Sequence, residues 1–171
     1  MMRHLERLER AHPIHRARMA EFLRLAEQQG FSLLVVRVYA SPAEQLDKWR
    51  QGRRYNKASG RWEVADEKLL VTRAKPGSSA HEVVGVDAVP AALATDIVPV
   101  DAAGKPIWNT PDSVWTQLWD LAARAGLDAL GDPWGRFLGF DKGHLEEPAW
   151  QVVLSALGLR LPDISTLSVE V

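Results

Sequence analysis

Apolar and polar positions recur along the chain with two different periods, and these periods predict its elements. Met19, Phe22, Leu23 and Ala26 follow the i, i+3, i+4, i+7 stripe of an amphipathic helix, and Gly30 stands where a helix-ending glycine belongs. Residues 1–30 therefore read as helix. The run SLLVVRVY at 32–39 is β-branched and aromatic and too short for a helix, which predicts a central strand. Ser41-Pro42-Ala43-Glu44 supplies a capping hydroxyl, a proline for the first turn and an acidic group three residues on, so a helix runs from there to about Gly52. Residues 52–67 turn basic and polar with no steady period and read as an exposed excursion, a hairpin turning at Ser59-Gly60. Leu69–Thr72 and Leu93–Val100 are strand candidates. Thr110-Pro111-Asp112 opens a helix with Trp115, Leu118, Trp119 and Ala122 on one face, and Gly126 ends it. A loop carrying Trp134 and Gly135 leads to a short strand near His144. A last helix spans Pro148–Leu157, and a tail or edge strand closes the chain.

Helices come first, strands are scattered, and no βαβ rhythm appears. The expected class is α+β, a small antiparallel sheet with flanking helices. The 171 residues make one domain, with no repeat and no linker that would set off a second module. Lys and Arg number 21 against 22 Asp and Glu, so no basic field draws the chain to nucleic acid. The chain contains no cysteine, which excludes disulfides, thiolate metal sites and a Cys nucleophile. Any metal must be held by His and carboxylate. No apolar run approaches the ~20 residues of a membrane span. The first residues, MMRHLERLERAHPIHRAR, place charges where a signal peptide needs its apolar core. Synthesis in the cytoplasm without a signal peptide and a monomeric state are expected.

Five histidines are present. His4, His12 and His15 lie in the charged N-terminal segment and read as solvated imidazoles. His81 and His144 each follow a strand-like run and sit among breakers and carboxylates. Taken singly, each reads as a structural histidine. Together, with Asp96 between them, they compose a His-Asp-His set that offers zinc three protein ligands and leaves one position open.

The segments VTRAKPGSSAH, ALATDIVPVDAAGKPIW and GFDKGHLE, with VYASPAEQLDKWRQGR upstream and the His12-Pro13 pair, resemble the zinc D-Ala-D-Ala carboxypeptidase and L-Ala-D-Glu endopeptidase family. Phage endolysins and vancomycin-resistance dipeptidases belong to that family. The resemblance spans about residues 5–150, with 148–171 a C-terminal helix and tail, in one zinc peptidase domain of residues 1–171. It implies a hedgehog/DD-peptidase-like fold and zinc held by His81, Asp96 and His144, with Asp141 as the catalytic acid/base. Ser79, Arg73, Gln45 and Trp134 are implied or proximate substrate contacts. Glu146 is either an alternative base or a hydrogen-bond partner of a ligand imidazole. Asp at 141 is the endopeptidase variant of the closing motif. The implied activity is hydrolysis of the peptidoglycan peptide stem, as an L-alanyl-D-glutamate endolysin acting on the wall after release. The alternatives are a D-Ala-D-Ala carboxypeptidase and a non-catalytic wall-binding protein on a decayed peptidase fold.

Two positions depart from the pattern. Residue 88, where the family places its ligand Asp, is Ala; an enlarged loop intervenes before the matching Asp96, and Asp87 is the rival ligand. Ala40 stands where the family has an Arg that contacts substrate. Arg73 or Arg53 is expected to replace it, while Arg37 reads as an edge or solvent-facing side chain because strand alternation sets 37 and 40 on opposite faces.

Overall fold

Proline decides where the first helix begins. Pro13 has no N–H to give and restricts the residue before it, so the chain cannot run as one helix from its N-terminus. The structure, a computed structural model, describes residues 2–130, 141–165 and 167. It opens with strand β1 (Met2–Arg3) and a 3-10 turn at Leu5–Arg10, and α1 spans Pro13–Gln28. This corrects the expectation of helix throughout 1–30. The His12 ring caps α1, its Nδ1 accepting from the Ile14 N–H at 3.3 Å.

β2 (Leu33–Arg37) and α2 (Pro42–Arg50) follow, and α2 opens on the capping box anticipated at Ser41 and Glu44. β3 (Arg53–Asn56) and β4 (Arg61–Val64) form the expected hairpin. Residues 69–72 do not form a strand: a 3-10 turn at Glu67–Leu69 overlaps their start, and Leu69 and Val71 are exposed, with no strand paired to them among the described residues. Then come β5 (Val84–Gly85), β6 (Ala94–Pro99), α3 (Asp112–Arg124), β7 (Asp128–Ala129) and β8 (His144–Glu146). The last helix, α4 (Trp150–Val153), is shorter than the pattern predicted, and β9 (Leu159–Arg160) pairs with β5.

The principal sheet has the order β1-β2-β6-β8-β7. Its pairs are antiparallel except β1 with β2, which is parallel. The α+β class holds, with that one parallel edge added. One face packs against α1 and α3: Leu33, Val35, Ile97 and Leu145 meet Met19, Phe22, Leu118 and Ala122 in a common core. Trp115 and Trp119 are buried in it. His15 belongs to this face, contrary to the solvated reading. It shares the α1 stripe with Met19 and Phe22 and is fully buried, with Nδ1 3.1 Å from Glu147 Oε1 and Nε2 2.9 Å from Thr95 Oγ1. A buried imidazole needs partners for both nitrogens, and here it has them.

The opposite face is left to Arg37, Asp96 and His144, and a glycine sets its spacing. Ile97 donates its N–H to the Gly143 carbonyl at 2.9 Å, and a Cβ at Gly143 would fall 2.2 Å from the Ile97 carbonyl oxygen. Only glycine lets this turn lie against β6. Gly143→Ala is expected to cost about 1–3 kcal/mol of unfolding free energy, as overpacking does. Chemical denaturation of the variant beside the parent measures it.

Candidate functional site

Three strands contribute one residue each to a row across the sheet. Arg37 of β2 is opposite Asp96 of β6, and Asp96 is opposite His144 of β8. The register slips between Val35 and Arg37, so Val36 is an extra residue in β2. That bulge moves Arg37 from the core face, which Val35 occupies, to the face of Asp96. Arg37 Nε then donates to Asp96 Oδ2 at 2.7 Å, and the side chain is 13% exposed. The solvent-facing reading of Arg37 is thereby overturned. Simple alternation does not extend to Ala40, because β2 ends at Arg37.

His81 comes from outside the sheet. It lies in a 3-10 turn at Ala80–Glu82, capped by Ser79, whose Oγ accepts from the His81 N–H. The turn is tied to its neighbours by Ala40 N–H to the His81 carbonyl and Leu93 N–H to the Ala80 carbonyl, both 3.0 Å. Beneath it the buried Glu82 carboxylate accepts from the backbone N–H groups of Gly77, Ser78 and Ser79. Sequence reasoning passed over Glu82, although Ser79-x-x-Glu82 is a capping-box signature.

The three donors converge. His81 Nε2 is 3.0 Å from Asp96 Oδ1 and 3.2 Å from His144 Nδ1, and His144 Nδ1 is 3.1 Å from Asp96 Oδ1. Ligands at ~2.0 Å from a tetrahedral metal stand about 3.3 Å apart, so this triangle fits one small divalent ion. The outward nitrogens are held as metal-binding histidines require: His81 Nδ1 faces the Val38 carbonyl at 2.6 Å, and His144 Nε2 faces Glu146 Oε2 at 3.1 Å. Asp87 is exposed and caps its own turn by accepting from the Val89 N–H. It stands apart from the set His81, Asp96 and His144.

Charge is unevenly spread over these groups. Burial, partly offset by Asp96, lowers the His81 pKa to about 4. Burial also opposes a charge on His144, but hydrogen bonds to Asp96 and Glu146 and the nearby carboxylate charges outweigh it and raise its pKa to about 10. Burial works against ionised Asp96 as well; His81, His144 and Arg37 overcome it and hold the group well below the usual carboxylate range. Asp141 sits with Oδ2 3.8 Å from His144 Nδ1, and burial followed by the Asp96 charge raises it to about 6. Its φ of 51° is left-handed, a conformation Asp tolerates better than most residues.

The site opens into a cavity of about 400 Å³, with Arg37, Arg73, Ser79, Asp141 and Glu146 on its walls beside the two histidines. Gln45 is not on those walls. It is fully buried behind them, where its Nε2 donates to the Ala74 carbonyl at 2.8 Å and braces the loop that carries Arg73. Arg53 is also behind the wall, bonded to the carbonyls of Trp49 and Thr72. Trp134 lies outside the described residues.

The sequence matches no protein-family model and no curated protein. Solved structures do match. The Serratia marcescens L-Ala D-Glu endopeptidase ChiX is 17% identical with a TM-score of 0.53, over 89% of this chain and 93% of that one. The LdcB LD-carboxypeptidase, whose structure concerns peptidoglycan recognition, is 18% identical with a TM-score of 0.50, over 85% of this chain and 71% of that one. The vancomycin-resistance D,D-pentapeptidase VanY in complex with Zn(II) is 19% identical with a TM-score of 0.50, over 80% and 72%. The chain has the DD-peptidase-like fold. Within this DD-peptidase-like fold the Arg37–Asp96–His144 row lies on the sheet face away from α1 and α3.

Metal uptake has a pH signature. At pH 7 the metal-free cluster has His81 neutral, Asp96 ionised and His144 protonated, and a metal must displace the His144 proton. Zinc binding at pH 7 is expected to release about one proton, so apparent affinity rises about tenfold per pH unit up to the approach of pH 10. Calorimetry in two buffers of different ionisation enthalpy counts that proton. The same titration of His144→Ala is expected to show no tight binding.

Proposed function

We propose that the chain is a zinc peptidase, one domain over residues 1–171, that hydrolyses the peptide stem of bacterial peptidoglycan as an L-alanyl-D-glutamate endopeptidase of endolysin type. The observation that carries the reading is the convergence of His81, Asp96 and His144, with Asp141 beside them, at the mouth of a cavity on a DD-peptidase-like fold. Two imidazoles and one carboxylate suit zinc, and both imidazoles have the outward partners that fix their orientation. Endopeptidase rather than carboxypeptidase action is favoured by Asp at position 141.

Bound there, zinc would supply a Lewis acid that polarises the scissile carbonyl and acidifies water. Asp141 takes a proton from the attacking water and returns it to the departing amine. Its place on the cavity wall, with Oδ2 3.8 Å from His144 Nδ1, supports that role. Glu146 Oε2 lies 3.1 Å from His144 Nε2, which supports an orienting role for it, with Asp141 as the base. Arg37 and Arg73 line the cavity as cations for substrate carbonyl or carboxylate groups. Arg37 stands in for the arginine missing at Ala40.

Asp141→Asn removes the proton acceptor but keeps the shape. It is expected to retain zinc while peptidoglycan cleavage falls at least ~10²-fold, the lower range of general acid–base catalysis. His144→Ala is expected to lose zinc and cleavage together. Zinc content and turnover measured on the same preparations check both. Mass analysis of digested muropeptides names the bond: a freed L-Ala terminus marks the endopeptidase, and released D-Ala marks the carboxypeptidase. Full activity in Asp141→Asn with loss in Glu146→Gln would reassign the base.

A further inference from the structure

A second cavity of about 310 Å³ lies across Arg37 from the His81–Asp96–His144 cluster. Its walls carry Arg7, Arg10, Arg37, Lys48 and Tyr39, with Glu44 as the one acid. Arg37 lines both cavities, and its Nε donates to Asp96 Oδ2 at 2.7 Å.

The cations of this cavity are poorly compensated. Arg7 donates to the carbonyls of Val35 and Val36, which are neutral and leave its charge standing. Arg10 lies 4.6 Å over the Tyr39 ring. Among the described residues, Arg7, Arg10 and Lys48 form no ion pair with a carboxylate. The Glu44 carboxylate is engaged at the α2 N-terminus, accepting from the Ser41 N–H at 2.7 Å and its Oγ at 2.9 Å. Arg37 Nη1 is buried and has no hydrogen-bond partner. Lys48 lies within electrostatic reach of Asp96 and Asp141, which ties the cavity to the reacting end of the site. Concentrating like charges around a concave surface costs free energy unless an anion comes to occupy it.

We propose that this cavity is a carboxylate-binding subsite, which seats a free carboxylate of the substrate peptide while the adjoining amide lies at the His81–Asp96–His144 cluster. The proposal rests on the peptidase reading and deepens it. Residues in an extended peptide are spaced ~3.5 Å apart. Arg37, bonded to Asp96 at 2.7 Å, lines both cavities, so a carboxylate close to the scissile amide meets a cation that the two cavities share. In a stem peptide that group is the α-carboxylate of a γ-linked D-Glu. Lys48 and Arg10 bind it by charge, and Arg37 bridges the two cavities with its free donor.

Two peptides test the subsite: L-Ala-γ-D-Glu-L-Lys and the same peptide with the D-Glu α-carboxylate converted to a carboxamide. Binding to the zinc-loaded Asp141→Asn protein is measured by calorimetry, so that neither peptide is cut during the measurement. The carboxylate form is expected to bind about tenfold tighter or better, the worth of a charge-assisted hydrogen bond. Adding Arg10→Gln and Lys48→Gln is expected to abolish that preference while leaving carboxamide affinity unchanged. Retention of the preference in the Arg10→Gln/Lys48→Gln protein, equal weakening of both peptides, or no preference at the outset overturns the proposal. So does tight binding of inorganic phosphate that fails to compete with the carboxylate peptide, which marks an anion site unrelated to substrate. Hydrolysis by the unsubstituted protein is scored separately. A carboxylate preference without cleavage of any muropeptide sinks the peptidase reading and leaves the subsite standing.

Discussion

A carboxylate taken out of water must be surrounded by groups that replace its hydration, and Asp96 is the carboxylate around which this molecule is organised. Its Oδ1 meets His81 and His144, and its Oδ2 meets Arg37. Removing any one of these partners would leave the carboxylate less compensated in a place with little water, which costs more than the loss of a surface ion pair. The constraint therefore fixes three pieces of backbone at once: the end of β2, the centre of β6 and the start of β8. It also requires the Ala80–Glu82 turn to come down over the sheet, which the Glu82 carboxylate and the Ser79 cap arrange by collecting the backbone donors of residues 77–79.

The two faces of the sheet divide the labour. On one, α1 and α3 bury Leu33, Val35, Ile97 and Leu145, and the hydrophobic effect supplies the stability. On the other, Asp96, His144 and Glu146, which alternate with Ile97 and Leu145, carry the polar chemistry, and the bulge brings Arg37 to join them. Asp96 and His144 stand on paired central strands and share their rigidity, and the donor atoms of the cluster lie about 3 Å apart. Beneath Asp96, His15 joins Thr95 to Glu147, so the apolar side has a polar network of its own directly below the site.

His81, Asp96 and His144 form a group that could hold a cation. His144 lies between Asp96 and Glu146, whose hydrogen bonds and charge favour its protonated form. Asp141 feels the Asp96 charge and the loss of water, and both keep it less acidic than an exposed aspartate. Basic side chains gather on the far side of Arg37, so positive potential extends beyond the cluster.

Residue type and order were enough to single out His81, Asp96 and His144 as candidates, because a cysteine-free chain has few ways to hold a metal and these residues lie in spaced polar islands between strand-like runs. Asp141 entered only through the family resemblance. The capped helix at Ser41, the hairpin at 53–64 and the tryptophan stripe of α3 were legible for the same reason: their signals are local. Non-local contacts were not. The parallel β1–β2 edge depends on a pairing between segments separated by all of α1. His15 looks like one more charged-segment histidine until Pro13 sets the helix phase and turns it inward. Gln45 looks like a substrate contact until the loop at 72–74 covers it. Arg37 shows the limit most plainly: a one-residue bulge reverses the face of every side chain beyond it, and a bulge is dictated by the strand alongside rather than by the residues that form it. The chain's own order determined which residues could do chemistry; the sheet register decided which of them met, because register is a property of two strands and no single stretch of sequence contains it.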